Sequence, residues 1–227
     1  MSFILPNLQY RETKVTGMLL AVICVLGIFA MLHHPSVASN SIHEQIREVS
    51  HEAKINTLVH GVLTAFIILI NLCLSHYGKI RGFNRSSIFY GIAVYWIGTI
   101  VMALAALMSG IVGPELANHY LLATPDQAEV FRGIFLLTSE INLAFAYFSV
   151  YCWCAGICCW SFDMFQQNKI IKIFGIVSLL TAIFISISLL FGWVTLSIFG
   201  MTIILIAFNS WHLGIAWLLY SHDFRNL

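Results

Sequence analysis

Five of the nine histidines crowd into residues 33–60, at His33, His34, His43, His51 and His60. A neutral imidazole nitrogen binds Zn, Cu, Fe or Ni, so metal ligation is the first chemistry such a cluster suggests. A site needs ligands that converge, and helical geometry prunes the set. His43 and His51 lie about 12 Å apart along a helix axis at about 1.5 Å per residue, too far to share an ion. His51 and His60 fall on opposite faces of a straight helix. The remaining candidates for one metal site are His33, His34, His60 and, from a later segment, His119, with Glu115 nearby. This donor set suits Zn, Cu or Fe without choosing among them.

A second reactive group is Glu140, in the stretch Thr138-Ser139-Glu140-Ile141-Asn142. A carboxyl at the bilayer centre costs roughly 2.5 kcal/mol or more, and such residues usually face a protein interior and mark function. The expectation is that Glu140 points into the bundle beside Gly133, Ala144, Tyr147 and Tyr151, as a candidate catalytic acid or base. Asn209 and His212 share a helix face and read as packing hydrogen bonds. Cys154 and Cys158, one turn apart, could hold Cu(I) or Zn. All six cysteines fall in apolar stretches, however, where cysteine acts mainly as a small hydrophobe.

The elements that hold these residues are membrane helices. Of 227 residues, 59% are hydrophobic and 9% charged, against about 25% charged in a soluble domain. Lipid must cover what charge cannot. A net charge of +1 gives no reason to expect a nucleic-acid partner. Six stretches reach the roughly 20 apolar residues a span needs: about 15–34, 55–76, 88–113, 130–160, 169–191 and 194–221. The fold expected is an all-α six-helix transmembrane bundle forming one domain over 1–227. The fourth stretch is longer than a span and should tilt or project. Gly192-Trp193 alone separates the last two, which predicts a tight helical hairpin.

Lys and Arg set the orientation. Arg11, Lys14, Lys79, Arg81, Arg85, Lys169, Lys172 and Arg225 fall on one side, and Arg47, Lys54 and Arg132 on the other. Both termini are therefore expected in the cytoplasm, and the membrane reads as a bacterial inner membrane. Residues 15–32 followed by Ser36-Val37-Ala38 resemble a signal peptide, but the apolar run exceeds the usual 7–15 residues, which favours a true span. Pro35 should end span one. Ser41 with Glu44 looks like a capping box opening a short extracytoplasmic amphipathic helix, with Ile42, Ile46, Val49 and Ala53 on one stripe. If that helix runs unbroken into span two, His60 lies on the same stripe and faces the bundle. Ala105, Ser109 and Gly113 form a small-residue ladder in span three, which Pro114 should end.

Four functions fit these residues. One is a protein that binds a transition metal or metal cofactor through the outer histidines, above a polar core containing Glu140. Another is a metal-dependent enzyme acting on lipid or a small apolar substrate, although HxxxH and HxxHH spacings are absent. A third is a small proton-coupled transporter using Glu140, which the absence of proline inside any span disfavours. The fourth is a b-type haem protein using His34 with His60, or His76 with His212. Beyond lipid and a small molecule or metal ion, no partner or oligomeric state is indicated.

Overall fold

The computed structural model describes residues 4–35 and 41–221, and these are helical throughout apart from short connections. Ser36, Val37 and Ala38, like His222 and Arg225, lie outside the described residues. Helix α1 (Ile4–Leu32) is followed by α2 (Ile42–His51), α3 (Ala53–Arg81) and α4 (Ser86–Leu107). A π-helical turn (Met108–Val112) leads from α4 into α5 (Gly113–Leu122). Helices α6 (Pro125–Met164), α7 (Lys169–Leu190) and α8 (Ile198–Ser221) complete the chain. Six segments are long and apolar enough to cross a membrane: Tyr10–Leu32, Ala53–Arg81, Ser86–Leu122, Pro125–Met164, Lys169–Leu190 and Ile198–Ser221. The protein is a polytopic membrane protein, with helices as the only regular structure among the described residues.

Around the bundle the packing order is α8, α1, α3, α4, α6, α7. The closest pair is α4 with α6. A Cβ on Gly98 would come 2.9 Å from the Ser149 carbonyl, and one on Gly156 2.9 Å from that of Gly91. Glycine at these points lets the two backbones touch, as small residues do in membrane bundles.

At one end of the bundle, which we call the basic end, Asp163 is buried between two arginines. Arg81 Nε and Nη2 donate to its Oδ2 at 3.0 and 2.8 Å, and Arg85 Nη1 to its Oδ1 at 2.7 Å. Above this clasp, Tyr95, Trp160 and Trp211 stack with centroids 5.1–6.3 Å apart and close α4, α6 and α8 together. Tyr95 also donates to His212 Nε2 at 2.7 Å, while His212 Nδ1 meets Asn209 Oδ1 at 3.3 Å and the Asn209 amide donates to the Cys24 carbonyl. Both His212 nitrogens are thus committed to packing, which leaves none for a haem iron.

The opposite end carries a small helical cap. Helix α6 is about 60 Å long at 1.5 Å per residue, twice the roughly 30 Å hydrocarbon thickness. Its start is fixed by Thr124 and Gln127 in a reciprocal capping box, with Pro125 in the first turn. On this overhanging half, Phe135 packs with Ala117 of α5 and Ile46 of α2, flanked by Ile42, Val49 and Tyr120. Ser50 donates to Asn118 at 2.6 Å, and His43 Nδ1 meets the Tyr120 hydroxyl at 3.0 Å.

Three connections differ from what the sequence leads one to expect. Helix α2 does not run on into α3, because Glu52 leaves the helical region at φ −89°, ψ 10°. Ser41 precedes α2, yet its side chain makes no capping bond. The α7–α8 connection is no tight hairpin. Gly192 turns left-handed at φ +70°, Val194 N–H reaches back to the Ser188 carbonyl, and α8 begins only at Ile198. Val194 and Leu196 fold onto the core instead of extending either helix.

The clasp yields a stability prediction. Removing one partner of a buried ion pair leaves an uncompensated charge and costs about 3–5 kcal/mol. Asp163→Leu, which strands the buried Arg81, should lower the thermal midpoint in detergent far more than Arg85→Ala, whose side chain is 45% exposed.

Candidate functional site

Pro114 does not end its helix; it bends the hydrogen-bond register upstream. Proline has no N–H to offer the carbonyl four residues back, and its ring clashes there. The chain widens to a π-turn over Met108–Val112, with Gly113 N–H bonding to the Met108 carbonyl. Two carbonyls then lack a helical donor: Gly110, whose α-register partner is Pro114, and Ser109, whose π-register partner is Pro114. Helix α3 supplies both. Asn56 Nδ2 donates to the Ser109 carbonyl at 2.8 Å, and the Thr57 hydroxyl to that of Gly110 at 2.6 Å. These bonds lock α3 against the turn. One turn further along α3, His60 rests on Gly110, where an added Cβ would come 2.5 Å from the His60 Cβ.

His60 therefore faces the bundle, and it meets His34, just beyond the end of α1. The two rings stand edge to face with centroids 4.7 Å apart and their Nε2 atoms 3.3 Å apart. Each Nδ1 lies against a carbonyl oxygen, which only accepts: His34 Nδ1–H donates to Pro35 at 2.8 Å and His60 Nδ1–H to Asn56 at 2.9 Å. In the neutral rings both protons are fixed on Nδ1, so two Nε2 lone pairs confront each other. Burial pushes the His34 imidazole below its ordinary pKa, against a smaller opposing effect of the bond to Pro35. This keeps it neutral.

The other sequence candidates lie elsewhere. His33, next in the chain, turns its Nδ1 back to the Phe29 carbonyl and is exposed. His119 stacks on Phe131 at 5.4 Å within the cap. Glu115 lies in the first turn of α5. Among the described residues no group of three or more His, Cys, Asp or Glu side chains is placed to hold a metal ion. All six cysteines are free thiols.

Glu140 corrects the expectation of a polar core. Its side chain is exposed on the outer face of α6, as are Gly133 and Ala144, while Phe135 and Thr138 turn inward. Counted from Asp163, Glu140 lies about 35 Å along the helix, beyond a hydrocarbon layer of about 30 Å. An exposed carboxyl at that separation has no need of a partner inside the bundle. Arg132 pairs with Glu129 at 2.8 Å.

The histidine pair stands where two cavities meet. One, of about 550 Å³, lies towards the cap and includes Glu52, Asn56, Thr138 and Asn142 in its lining. The other, of about 290 Å³, runs between the helices and includes Leu63, Met102, Ala146 and Trp153. Ser109 and Asn142, which line both, were visible in the sequence only as a ladder position and as a neighbour of Glu140. The signal that could have found Asn142 is its spacing from inward Phe135 and Thr138. No protein-family model, curated protein or solved structure matches this chain.

Nitrogen-15 NMR of histidine-labelled protein checks the tautomers directly. At pH 7 the His34 and His60 resonances, assigned by single substitution, should show protonated Nδ1 and unprotonated Nε2. An Nε2–H signal from either ring would refute the facing lone pairs.

Proposed function

We propose that this polytopic membrane protein binds one transition-metal cation between His34 Nε2 and His60 Nε2, at the mouth of its intramembrane cavity. The observation that carries the reading is the facing pair of lone pairs. Two acceptors at 3.3 Å repel unless something positive lies between them. A shared proton fits poorly: the separation exceeds the usual 2.7–3.2 Å range for hydrogen bonds to nitrogen donors, and burial of His34 opposes protonation. A metal fits better. With bonds of about 2.0–2.1 Å, nitrogens 3.3 Å apart subtend about 107° at the ion, close to tetrahedral. Two coordination positions remain open towards the cavities, for water or for a ligand's oxygen. The carbonyls of Pro35 and Asn56 serve as the outer partners that orient ligating imidazoles.

Zn and Co(II) suit two imidazoles with open positions, and Cu or Fe fits the same donors. Neither the transporter reading nor an acid–base role for Glu140 gains support, since that carboxyl faces away from the pair. His33 and His119 are not ligands in this reading.

The test is Co(II) titration of the purified protein, read by visible absorbance. One equivalent should bind with a tetrahedral spectrum. His34→Ala and His60→Ala should each weaken binding at least tenfold, while His33→Ala, His119→Ala and Glu140→Gln should match wild type. Wild-type behaviour of both pair variants overturns the reading. The pH dependence has a definite sign. A depressed His34 pKa leaves the ring deprotonated below the ordinary imidazole value, so protons compete with the metal only at lower pH. Between pH 7.5 and 6.5 affinity should therefore fall less than that of an exposed histidine pair measured alongside.

A further inference from the structure

The two cavities that meet at the histidine pair differ in chemistry, and they share His34, Ser109, Asn142, Leu196 and Ile198 as common walls. The cap-side chamber is mixed: hydroxyls, amides and one carboxylate from Thr138, Ser139, Ser197, Asn56, Asn142 and Glu52 stand among apolar walls such as Val49, Phe135 and Phe199. The inner chamber presents hydrocarbon and thioether, from Leu63, Ile67, Met102, Met201 and Leu205, and reaches Trp153. From Asn142 to Trp153 it extends about 16 Å along α6 at 1.5 Å per residue. A wider compartment that carries the polar groups, joined to a narrower and more apolar one, has the shape of a head and a single tail. At about 290 Å³ the tail compartment sits at the lower limit of ligand-sized cavities, with room for one chain.

The lining also restricts the head. Among the described residues lining the two chambers, Glu52 alone carries a formal charge, and no Lys or Arg is present to pair a phosphate or carboxylate. An anionic head would meet Glu52 with no cation to offset it. A quaternary ammonium could approach Glu52 but has no N–H or O–H for the bare Nε2 atoms of the histidine pair. Hydroxyl groups satisfy all of these partners: they donate to Glu52 and to imidazole nitrogen, and they exchange hydrogen bonds with Asn142, Ser139 and Thr138.

Access points to the bilayer as the source. In the common wall Leu196 belongs to the α7–α8 connection and Ile198 opens α8; the same region exposes Phe191, Trp193 and Phe199. Tryptophan is enriched at membrane–water interfaces, which suits Trp193, and the exposed apolar ring of Phe199 borders the cap-side chamber. The doorway is thus framed by groups that sit among lipid headgroups.

We infer that the joined cavities form one binding site for a single-chain amphiphile with an uncharged, hydroxyl-bearing head, of the monoacylglycerol kind, drawn from the surrounding leaflet. This goes beyond the cation reading and does not require it.

The experiment uses the full chain in phosphatidylcholine nanodiscs with a monoacylglycerol carrying a diazirine midway along its chain. After irradiation, peptide mass spectrometry should find the label on Leu63, Met102, Ala146 or Leu205. Excess monomyristoylglycerol should reduce it at least tenfold, whereas equal myristate or myristoyl-lysophosphatidylcholine should reduce it less than twofold. Ala146→Phe and Leu63→Trp, which fill the tail chamber from different helices, should each cut labelling at least fivefold, and the wild-type competition stands if either fails to fold. Label spread over exposed positions such as Phe148 and Phe184, or equal competition by all three heads, overturns the proposal. Co(II) absorbance on the same samples keeps the readings apart. Intact absorbance with uncompeted label sinks the amphiphile site alone; competed label without absorbance sinks the metal site alone.

Discussion

A missing N–H at Pro114 sets the geometry of the cap half of this molecule. In water an unpaired carbonyl finds a solvent partner; within apolar surroundings it costs several kcal/mol unless the protein supplies a donor. The chain meets that demand by widening one turn of the α4–α5 helix and presenting Ser109 and Gly110 to Asn56 and Thr57 of α3. Registering α3 on those two carbonyls fixes where His60 falls, and Gly110, lacking a side chain, lets the ring in. Single π-turns recur at functional sites in helical proteins. The reason here is concrete: the turn that accommodates the proline is also the surface on which the histidine lies.

The two halves of the bundle are built by opposite means. Near the basic end the helices are held by specific contacts, from the Arg81–Asp163–Arg85 clasp to the Trp160–Trp211 stack. Towards the cap, α8 starts late, after the Gly192 turn and the inward fold of Val194 and Leu196. The space that an earlier start would have filled is the cavity. A closed, aromatic-packed half can hold the helices rigidly while the other half stays open without collapsing. Cap packing around Ile46, Ala117 and Phe135 braces the open half from above, so α6 is held at both ends.

The spans were legible in the sequence because lipid imposes a simple requirement, a sufficient run of apolar residues, and local residues meet it alone. His60 was placed inward by assuming one unbroken helix from Ile42, and it does face inward although Glu52 interrupts that helix. What holds it there is the π-turn, which depends on contacts between segments some fifty residues apart. Glu140 shows the complementary failure. Helical period groups it with Gly133 and Ala144, which are exposed as it is, and with Tyr147 and Tyr151, which instead pack partly against the core; period alone does not say which face looks inward. Counting spanning length from Asp163, a residue whose burial becomes evident only in the folded bundle, would have placed the carboxylate at an interface and removed the need to bury it. The α7–α8 connection departs from a hairpin for a related reason: Gly192-Trp193 alone interrupts the apolar run, whereas apolar Val194 and Leu196 also belong to the connection because they pack against the core.

The pairing of His34 with His60 bears on why a cation-binding and an amphiphile-binding reading are compatible at one place. Imidazoles held as Nδ1–H tautomers are acceptors towards the cavity, and an acceptor pair in a poorly solvated site must be met by a cation or by donors. A metal satisfies the pair itself and leaves two positions facing the chambers; hydroxyl oxygens are neutral ligands for such positions and also donors to Glu52. Neither imidazole contributes negative charge, so a divalent ion here keeps its charge except for what Glu52 screens across the cap-side chamber. In that reading the incomplete compensation favours weak, exchangeable metal binding over a structural site, and among the described residues no group of three or more His, Cys, Asp or Glu side chains is placed to hold an ion more firmly. His33, one residue away, also turns its Nδ1 to a carbonyl, that of Phe29, so what distinguishes it from the pair is exposure: its ring stands in the open, where water meets the Nε2 lone pair without help.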